Sequence, residues 1–274
     1  MKLNTASTLG FIATSLMAIA APAQAFTGFG FTANYTQNPS QPTTGNITLN
    51  SVTFGSKTLG QSDLSLVTRA SVLRNSTITH GHSAVGVASA DRGDSASGIN
   101  EEEANEINVV TALGNFNLNN IIDTEDRYSS DDVANGSDIA EINVFFGKAV
   151  NHFFLAERGM NSDLKVEAID EAGQVINDIA TETILRGDWA AAGYSINTTE
   201  IERDQSVGFR GLRTNRLIAG LRLSSNRSMN GPDYKVFAAR VPEPATMAGL
   251  ALVTGAAVLS RRGRKMRVQR AAAK

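Results

Sequence analysis

Residues 139–155 read IAEINVFFGKAVNHFFL, and this stretch decides the fold class. Two runs rich in β-branched and aromatic residues flank Gly147-Lys148, which predicts a β-hairpin. Each run carries two adjacent phenylalanines, Phe145-Phe146 and Phe153-Phe154. Because neighbouring side chains of a strand point to opposite faces, each pair places one ring on each face. Both faces then need cover, as in a β-sandwich with an added layer.

The segments around this stretch predict further short strands. Residues 164–168 alternate Leu, Val and Ala with Lys and Glu, which is typical of a half-buried strand. Turn residues separate this segment from its neighbours, as at Asp170-Glu171-Ala172-Gly173. We therefore expect residues 26–240 to form a mainly β domain, an antiparallel sandwich or jelly roll.

One short helix is expected in this domain. The glycine-rich stretch from His80 to Gly98 predicts a loop, and Asn100 after it can cap a helix with Glu103 at the capping-box position. The apolar positions at helical spacing are Ile107, Val110 and Leu113. Gly114 can then end the helix in a left-handed conformation.

The composition is that of a globular protein. The chain has 274 residues, of which 42% are hydrophobic, so it is long enough to bury a core. It has no cysteine, which excludes disulfides, thiol catalysis and cysteine-ligated metals.

The N-terminus predicts a signal peptide at residues 1–25. Lys2 gives a positive start, and Leu9 to Ala21 forms a short apolar region. Ala23 and Ala25 match the small-x-small pattern that signal peptidase recognises. We expect cleavage after Ala25, which leaves Phe26 as the first residue of the exported protein.

The C-terminus combines three features in a fixed order. Val241-Pro242-Glu243-Pro244 is stiff and extended, because proline fixes φ and biases the preceding residue away from helix. The apolar run Ala245 to Leu259 follows, and the basic cluster Arg261, Arg262, Arg264 and Lys265 comes next. Such a cluster resists transfer across a membrane, so we expect a transmembrane helix with residues 266–274 as a cytoplasmic tail. The segment from Ala245 to Ser260 would be a helix of only about 24 Å, against a hydrocarbon core of about 30 Å.

Residues 241–265 resemble a PEP-CTERM sorting signal. The resemblance implies recognition by an exosortase, a membrane-embedded, transpeptidase-like enzyme. More loosely, three segments of the body resemble exosortase-dependent surface proteins of cyanobacteria: Asn115 to Asp126, Glu157 to Asp163, and Gly231 to Val236. That family implies a cell-surface or matrix protein in the context of extracellular polysaccharide, without an established reaction or catalytic residues.

The body and the C-terminal tail carry net charges of opposite sign. Residues 26–240 hold 17 of the 25 Lys and Arg and 26 of the 27 Asp and Glu, a formal charge of −9, whereas the tail is basic. An acidic body argues against nucleic acid as a partner and against passive adhesion to anionic lipid. Within the body, Arg203 to Arg240 carries eight bases against Asp204 and Asp233.

The search for a metal site gives two candidates, and we commit to neither metal nor cofactor. His80 and His82 form a pair with no third ligand near in sequence, which is short of the three or four that zinc needs. A calcium site is the alternative, since Ca²⁺ takes 6–8 oxygen ligands. Its candidate ligands are Asp123, Glu125, Asp126, Asp131 and Asp132. Val133 stands where an EF-hand loop needs an oxygen, so that template fails.

Catalytic patterns are absent from the sequence, and we expect no enzyme. It has no Gly-x-Ser-x-Gly motif. Glu157 and Asp163 flank a turn that contains Arg158, which indicates a structural salt bridge more than a paired-carboxylate site. Trp189 beside Asp188 could stack on a sugar ring, although a single tryptophan is more often a core residue.

The leading hypothesis is a non-enzymatic exported protein at the cell surface or in the extracellular matrix. Its precursor is anchored in the inner membrane, and an exosortase then processes it at the Pro-Glu-Pro signal for surface attachment or secretion. Extracellular polysaccharide is a candidate partner. The alternatives are a secreted carbohydrate-active enzyme, a lectin-like binding module on the same scaffold, and a permanently anchored structural protein.

Overall fold

A computed structural model describes residues 24–80, 83–86, 88–92, 102–124, 139–197 and 204–242. This part of the chain is mainly β, with antiparallel sheets and one α-helix, which confirms the expected class. Residues 1–23 of the predicted signal peptide and the apolar run Ala245 to Leu259 lie outside the described residues. Among those described, no helix has the length and apolar character needed to span a membrane.

The strands are β1 (Gln24–Ala25), β2 (Thr27–Phe29), β3 (Thr32–Gln37), β4 (Ile47–Phe54), β5 (Lys57–Gly60), β6 (Leu64–Ser65), β7 (Val67–Asn75), β8 (Thr77–His80), β9 (Ser83–Gly86), β10 (Ser89–Arg92), β11 (Glu102–Glu103), β12 (Asn120–Asp123), β13 (Ile139–Arg158), β14 (Leu164–Ile169), β15 (Ile179–Ala180), β16 (Glu182–Ile184), β17 (Ala190–Ile196), β18 (Gln205–Asn226) and β19 (Asp233–Ala239). The α-helix is α1 (Glu106–Leu113), and 3-10 turns cover Gln61–Asp63, Arg186–Asp188 and Arg227–Met229.

Two long strands organise the largest sheet. This sheet has 12 strands in the main order β11-β10-β12-β19-β13-β18-β14-β16, with β2, β6, β7 and β17 paired outside that path. β13 has 20 residues and β18 has 22, and they pair along most of their length. β19 and β7 share the other side of β13, β19 along its C-terminal part and β7 along its N-terminal part. Among the described strands only β1 and β15 pair in parallel.

Apolar residues cover both faces of β13, as the paired phenylalanines predict. Phe153 belongs to a core that α1 helps to close, whereas Phe154 belongs to a second core under the three-stranded sheet β3-β4-β5. Both rings are fully buried. Phe145 and Phe146 are also buried, and the Arg69 guanidinium lies 3.4 Å from the Phe145 ring centroid.

The hairpin predicted at Gly147-Lys148 is wrong. Both halves of the stretch pair with the same neighbour, β18, so the chain continues past this point as a single strand. Gly147 is not among the described glycines with positive φ, which two-residue hairpin turns of types I′ and II′ require. The register shifts instead on both sides of Val150, and residues 147–149 bulge out and are exposed.

The helix forms, but it begins later than predicted. Asn105 is its N-cap, with Oδ1 accepting from the Ile107 and Asn108 amides, while Glu102–Glu103 is a strand paired with β10. Its buried residues are Val109, Ala112 and Leu113. Ile107 is 76% exposed, so the inward face is rotated from the predicted one.

Gly114 does end the helix, for a reason other than a left-handed conformation. Its φ of −83° and ψ of 22° are accessible to most residues. A Cβ there would lie 2.4 Å from the Val110 carbonyl oxygen and 2.9 Å from that of Val67. Close packing of the helix end on the sheet therefore requires the glycine.

Two further predictions have different outcomes. Leu164, Val166 and Ala168 are fully buried in β14, which confirms the alternation in residues 164–168. The loop from His80 to Gly98 is wrong over part of its length, because β9 and β10 lie inside it. β9 pairs with β8 as a hairpin, and β10 pairs with β11 on one side and with β12 on the other.

Candidate functional site at the end of the folded body

Val241 follows β19, and the Asn151 side chain holds both of its backbone groups. The Val241 amide donates to Asn151 Oδ1 at 2.8 Å, and Asn151 Nδ2 donates to the Val241 carbonyl at 2.8 Å. Asn151 and Val241 are only 4% and 5% exposed. We call this pair the exit clamp. Pro242, the next residue, is exposed.

The bulge in β13 explains why an asparagine side chain replaces a ladder partner here. β19 ends in register at Ala239, opposite His152, and the register of β13 shifts on either side of Val150. The backbone of Asn151 therefore has no regular place in the ladder with β19. Its amide side chain, with one donor and one acceptor facing the chain, supplies the two bonds that a strand would supply.

His152 supports the clamp from a buried position. Its Nδ1 lies 3.2 Å from Asn151 Oδ1, and its ring packs 5.6 Å from that of Phe29 and 5.4 Å from that of Phe54. Burial, together with the positive charges of Arg213 and Lys57, lowers the pKa of His152 to about 4. At neutral pH the imidazole is uncharged, and Nδ1–H is the tautomer that donates to Asn151 Oδ1.

A buried ion cluster lies at the other end of β19. Arg158 Nη2 donates to Asp123 Oδ2 at 2.6 Å and to Asp233 Oδ2 at 2.7 Å. Arg158 and Asp233 are register partners across the ladder, and the Asp233 carboxylate also accepts from the Thr124 amide at 3.2 Å. The predicted structural role of Arg158 is confirmed, but its carboxylate partners are not those that flank its turn.

The two acids that flank this turn have other contacts. Glu157 Oε2 accepts from the Met160 amide at 2.6 Å, and this bond holds the turn closed. Asp163 pairs with Arg186 at 3.1 Å, and this hydrogen bond lowers the pKa of the Asp163 carboxyl.

Of the five calcium candidates, only Asp123 lies within the described residues. Asp123 is 1% exposed and is committed to Arg158, so it does not present open oxygen ligands. Glu125, Asp126, Asp131 and Asp132 lie outside the described residues. Within the described ranges, no group of three or more His, Cys, Asp or Glu is arranged to hold a metal ion.

The sugar-stacking role of Trp189 is wrong, and the core interpretation is confirmed. The indole is 5% exposed in the larger core, and Nε1 donates to the Ser162 carbonyl at 2.8 Å. A ring buried in this way has no face for a saccharide. His80 ends β8, and His82 lies outside the described residues.

Sequence reasoning missed a buried lysine. Lys235 is 0% exposed, and its Nζ donates to the Ala112 carbonyl at 2.6 Å and to Asn115 Oδ1 at 3.1 Å, at the C-terminal end of α1. Burial lowers its pKa well below the usual range. Lys235 stands between Tyr234 and Val236, a pattern that predicts a solvent-facing lysine. The position is buried because α1 packs over it.

The predicted sorting residues lie at and beyond the exit clamp. Val241 and Pro242 are described, whereas Glu243, Pro244 and the basic cluster at Arg261, Arg262, Arg264 and Lys265 lie outside the described residues. At the other end, Ala25 is described in β1 and Ala23 is not. The polar pair Asn151-His152 inside an apolar run is the sequence signal that marks the clamp.

Comparisons of this chain with protein-family models, curated proteins and solved structures gave no match. The function proposed below therefore rests on the residues of this chain.

Proposed function

We propose that this chain is an exported surface or extracellular-matrix protein, sorted and processed by an exosortase at Val241-Pro242-Glu243-Pro244. The sequence order of rigid motif, apolar run and basic cluster carries the proposal. The exit clamp supports it, because it fixes Val241 to β13 and the exposed Pro242 follows at once.

The clamp favours a cut on the C-terminal side of Val241. A protease or transpeptidase needs its substrate segment in an extended form that it can surround. Val241 is buried and bonded at both backbone groups, whereas Pro242 is exposed. The enzyme would therefore act on the segment from Pro242 onwards and leave the body folded.

Processing at the N-terminus is compatible with the same body. Signal peptidase cleavage after Ala25 removes β1, a two-residue strand at the edge of the fold. Phe26 remains as the first residue, 6% exposed and 6.2 Å from the Phe153 ring in an edge-to-face contact. Burial of Phe26 would tie down the new N-terminus.

The body between the two cuts is the part that acts outside the cell. We interpret its layered sheets as a jelly-roll-like sandwich, and extracellular polysaccharide as its candidate partner. The alternative of a carbohydrate-active enzyme or lectin-like module loses its named aromatic residue, since Trp189 is buried. An assay of the purified body on polysaccharides separates these alternatives.

The proposal is tested by expressing the full chain in two otherwise identical hosts, with and without an exosortase. Intact-mass spectrometry should show loss of the segment after about Pro244 only where the exosortase is present. The P242A/E243A variant should remain unprocessed in both hosts. The P39A/P42A variant changes two prolines outside the motif and should be processed normally. Equal processing of both variants, or equal masses in both hosts, would contradict exosortase recognition of this motif.

A further inference from the structure

Exposed cations without a carboxylate partner gather in one region of the described structure. Lys57, Arg69, Lys148, Arg213 and Arg240 are exposed and take part in none of the ion pairs. In contrast, six other described bases have a carboxylate oxygen within 4.0 Å: Arg158, Lys165, Arg186, Arg210, Arg216 and Arg222. We call the five unpaired residues the exit patch.

Three of the five surround the exit clamp directly. Arg240 immediately precedes Val241. Arg213 and Ala239 are both register partners of His152, on its two sides in the sheet, so Arg213 lies two strands from the end of β19. Lys57 is the register partner of Phe54, whose ring lies 5.4 Å from that of His152.

The other two extend the patch along the bulge. Lys148 is the middle residue of the exposed bulge 147–149, three positions before Asn151. It lines a surface cleft together with Arg69, whose guanidinium stacks on Phe145 and whose Nη2 donates to the Glu171 carbonyl at 3.0 Å. Stacking on Phe145 keeps the Arg69 guanidinium at the surface.

Two acids lie near the patch and do not cancel it. Asp63 precedes Leu64, which pairs with Ala239, and its Oδ2 accepts from the Gly60 amide at 3.0 Å. Glu171 lines the cleft with Arg69 and Lys148. Among the described residues, five cations against these two anions give this surface a positive sign on a body whose formal charge is −9. The excess of positive charge around the exit clamp therefore favours a negatively charged partner.

We propose that the exit patch contacts the anionic head groups of the membrane from which the apolar tail emerges. This inference rests on the proposed function, since it requires the run after Pro244 to enter a bilayer. Pro242 to Pro244 span at most about 10 Å when extended. The surface around Val241 is thereby held within roughly one Debye length of the lipid, where unpaired cations attract anionic head groups. Contact between the patch and the membrane would orient the body so that the segment from Pro242 to Pro244 faces the exosortase.

The test uses the full chain in proteoliposomes and takes advantage of the absence of cysteine. A single cysteine, A149C, carries a donor fluorophore in the exposed bulge, and T183C carries it on β16, an edge strand separated from β13 by β18 and β14. Energy transfer to acceptor-labelled lipid is measured in phosphatidylcholine alone and with phosphatidylglycerol added. We expect transfer from position 149 to rise by at least roughly twofold with the anionic lipid and to fall at high salt. Transfer from position 183 should change little.

A matched pair of variants separates the patch from overall charge. K148Q/R213Q/R240Q removes three unpaired cations, and K165Q/R186Q/R222Q removes three paired cations away from the exit clamp, so both lose the same charge. Only the first should abolish the lipid-dependent rise at position 149, with both variants folded by circular dichroism. Equal energy transfer at position 149 with and without phosphatidylglycerol, or the same lipid dependence in both variants, would overturn the inference.

Two further outcomes separate this inference from the proposed function and from another ligand. A chain that fails to float with either kind of vesicle contradicts membrane insertion, and with it the proposed function. A chain that floats with both but shows no anionic preference contradicts the exit patch alone. Alginate, a soluble polyuronate, is then added to the proteoliposomes. If it abolishes the energy transfer at position 149 at a concentration of carboxylate charge below that of the anionic lipid, the patch binds an acidic polysaccharide. Unchanged transfer supports the membrane.

Discussion

Asn151 and Val241, 90 positions apart in the chain, are joined by two hydrogen bonds of 2.8 Å that fasten the chain after β19 to β13. The contact lies inside the fold, and the exposed Pro242 follows it. On the function proposed above, cleavage beyond Val241 would leave this contact intact.

Replacing Asn151 by Asp should release this end of the chain. The carboxylate turns the donor that faces the Val241 carbonyl into a second acceptor, and a buried unsatisfied group costs about 1–3 kcal/mol. Hydrogen exchange at the Val241 amide should become faster, and the melting temperature should fall. N38D makes the same change on an exposed loop and should alter neither quantity. Unchanged exchange at Val241 in N151D would show that the clamp does not hold the chain.

The stability of the fold should depend on His152 between about pH 4 and 6.5. The folded-state pKa is lowered to about 4 from 6.5, so in this window the unfolded state binds the proton and the folded state does not. Stability from this group is therefore complete above pH 6.5 and is lost as the pH falls to about 4, by an amount of about 3 kcal/mol.

This dependence is measured by urea unfolding of the wild type and H152Q at several pH values. The glutamine cannot titrate, so the difference in unfolding free energy between the two proteins should change across the window. A constant difference from pH 4 to 7 would mean that the imidazole is not buried in its neutral form.

Arg158 should be among the most sensitive positions of the fold. R158A leaves Asp123 and Asp233 buried without their shared cation, and removal of one partner from a buried ion pair costs about 3–5 kcal/mol. R216A breaks the exposed pair with Asp178 and should cost below about 1 kcal/mol. Chemical denaturation of both variants checks the prediction, and similar losses would argue against a structural role for the cluster.

Lys235 should make stability rise with pH on the alkaline side. Burial lowers its folded-state pKa below 10.5, so the unfolded state binds a proton that the folded state binds less tightly. Stability should therefore increase from pH 7 to 9.5, and K235M should lack this part of the increase. K148M removes an exposed lysine and should keep the wild-type slope. Parallel slopes in K235M and the wild type would contradict burial of the ammonium.

Local patterns in the sequence predict the parts of the fold that follow from the two-residue repeat of side chains along a strand. Alternation in residues 164–168 and the paired phenylalanines give strands and buried faces, since side-chain direction in a strand follows from geometry alone. The same reasoning fails at Gly147-Lys148, because a glycine between two apolar runs fits a turn and a bulge equally well. Pairing of both halves with β18 decides between them, and the partners of residues 139–155 lie 55 to 87 positions away.

The site was predictable only in part for the same reason. The motif from Val241 to Pro244 is contiguous, so it can be read directly from the sequence. The exit clamp, the cluster around Arg158 and the environment of Lys235 join residues 35 to 123 positions apart. Which carboxylate meets which arginine depends on strand order, and composition does not reveal it. Asn105 replaced Asn100 as the helix cap because β11 occupies the intervening residues.

The most direct test of the central claim is the intact mass of the mature protein isolated from its own cells. One spectrum reports both processing events. Exosortase sorting predicts a chain that begins at Phe26 and lacks the segment after about Pro244. A mass that includes Arg261 to Lys274 would contradict the claim and leave a permanently anchored protein.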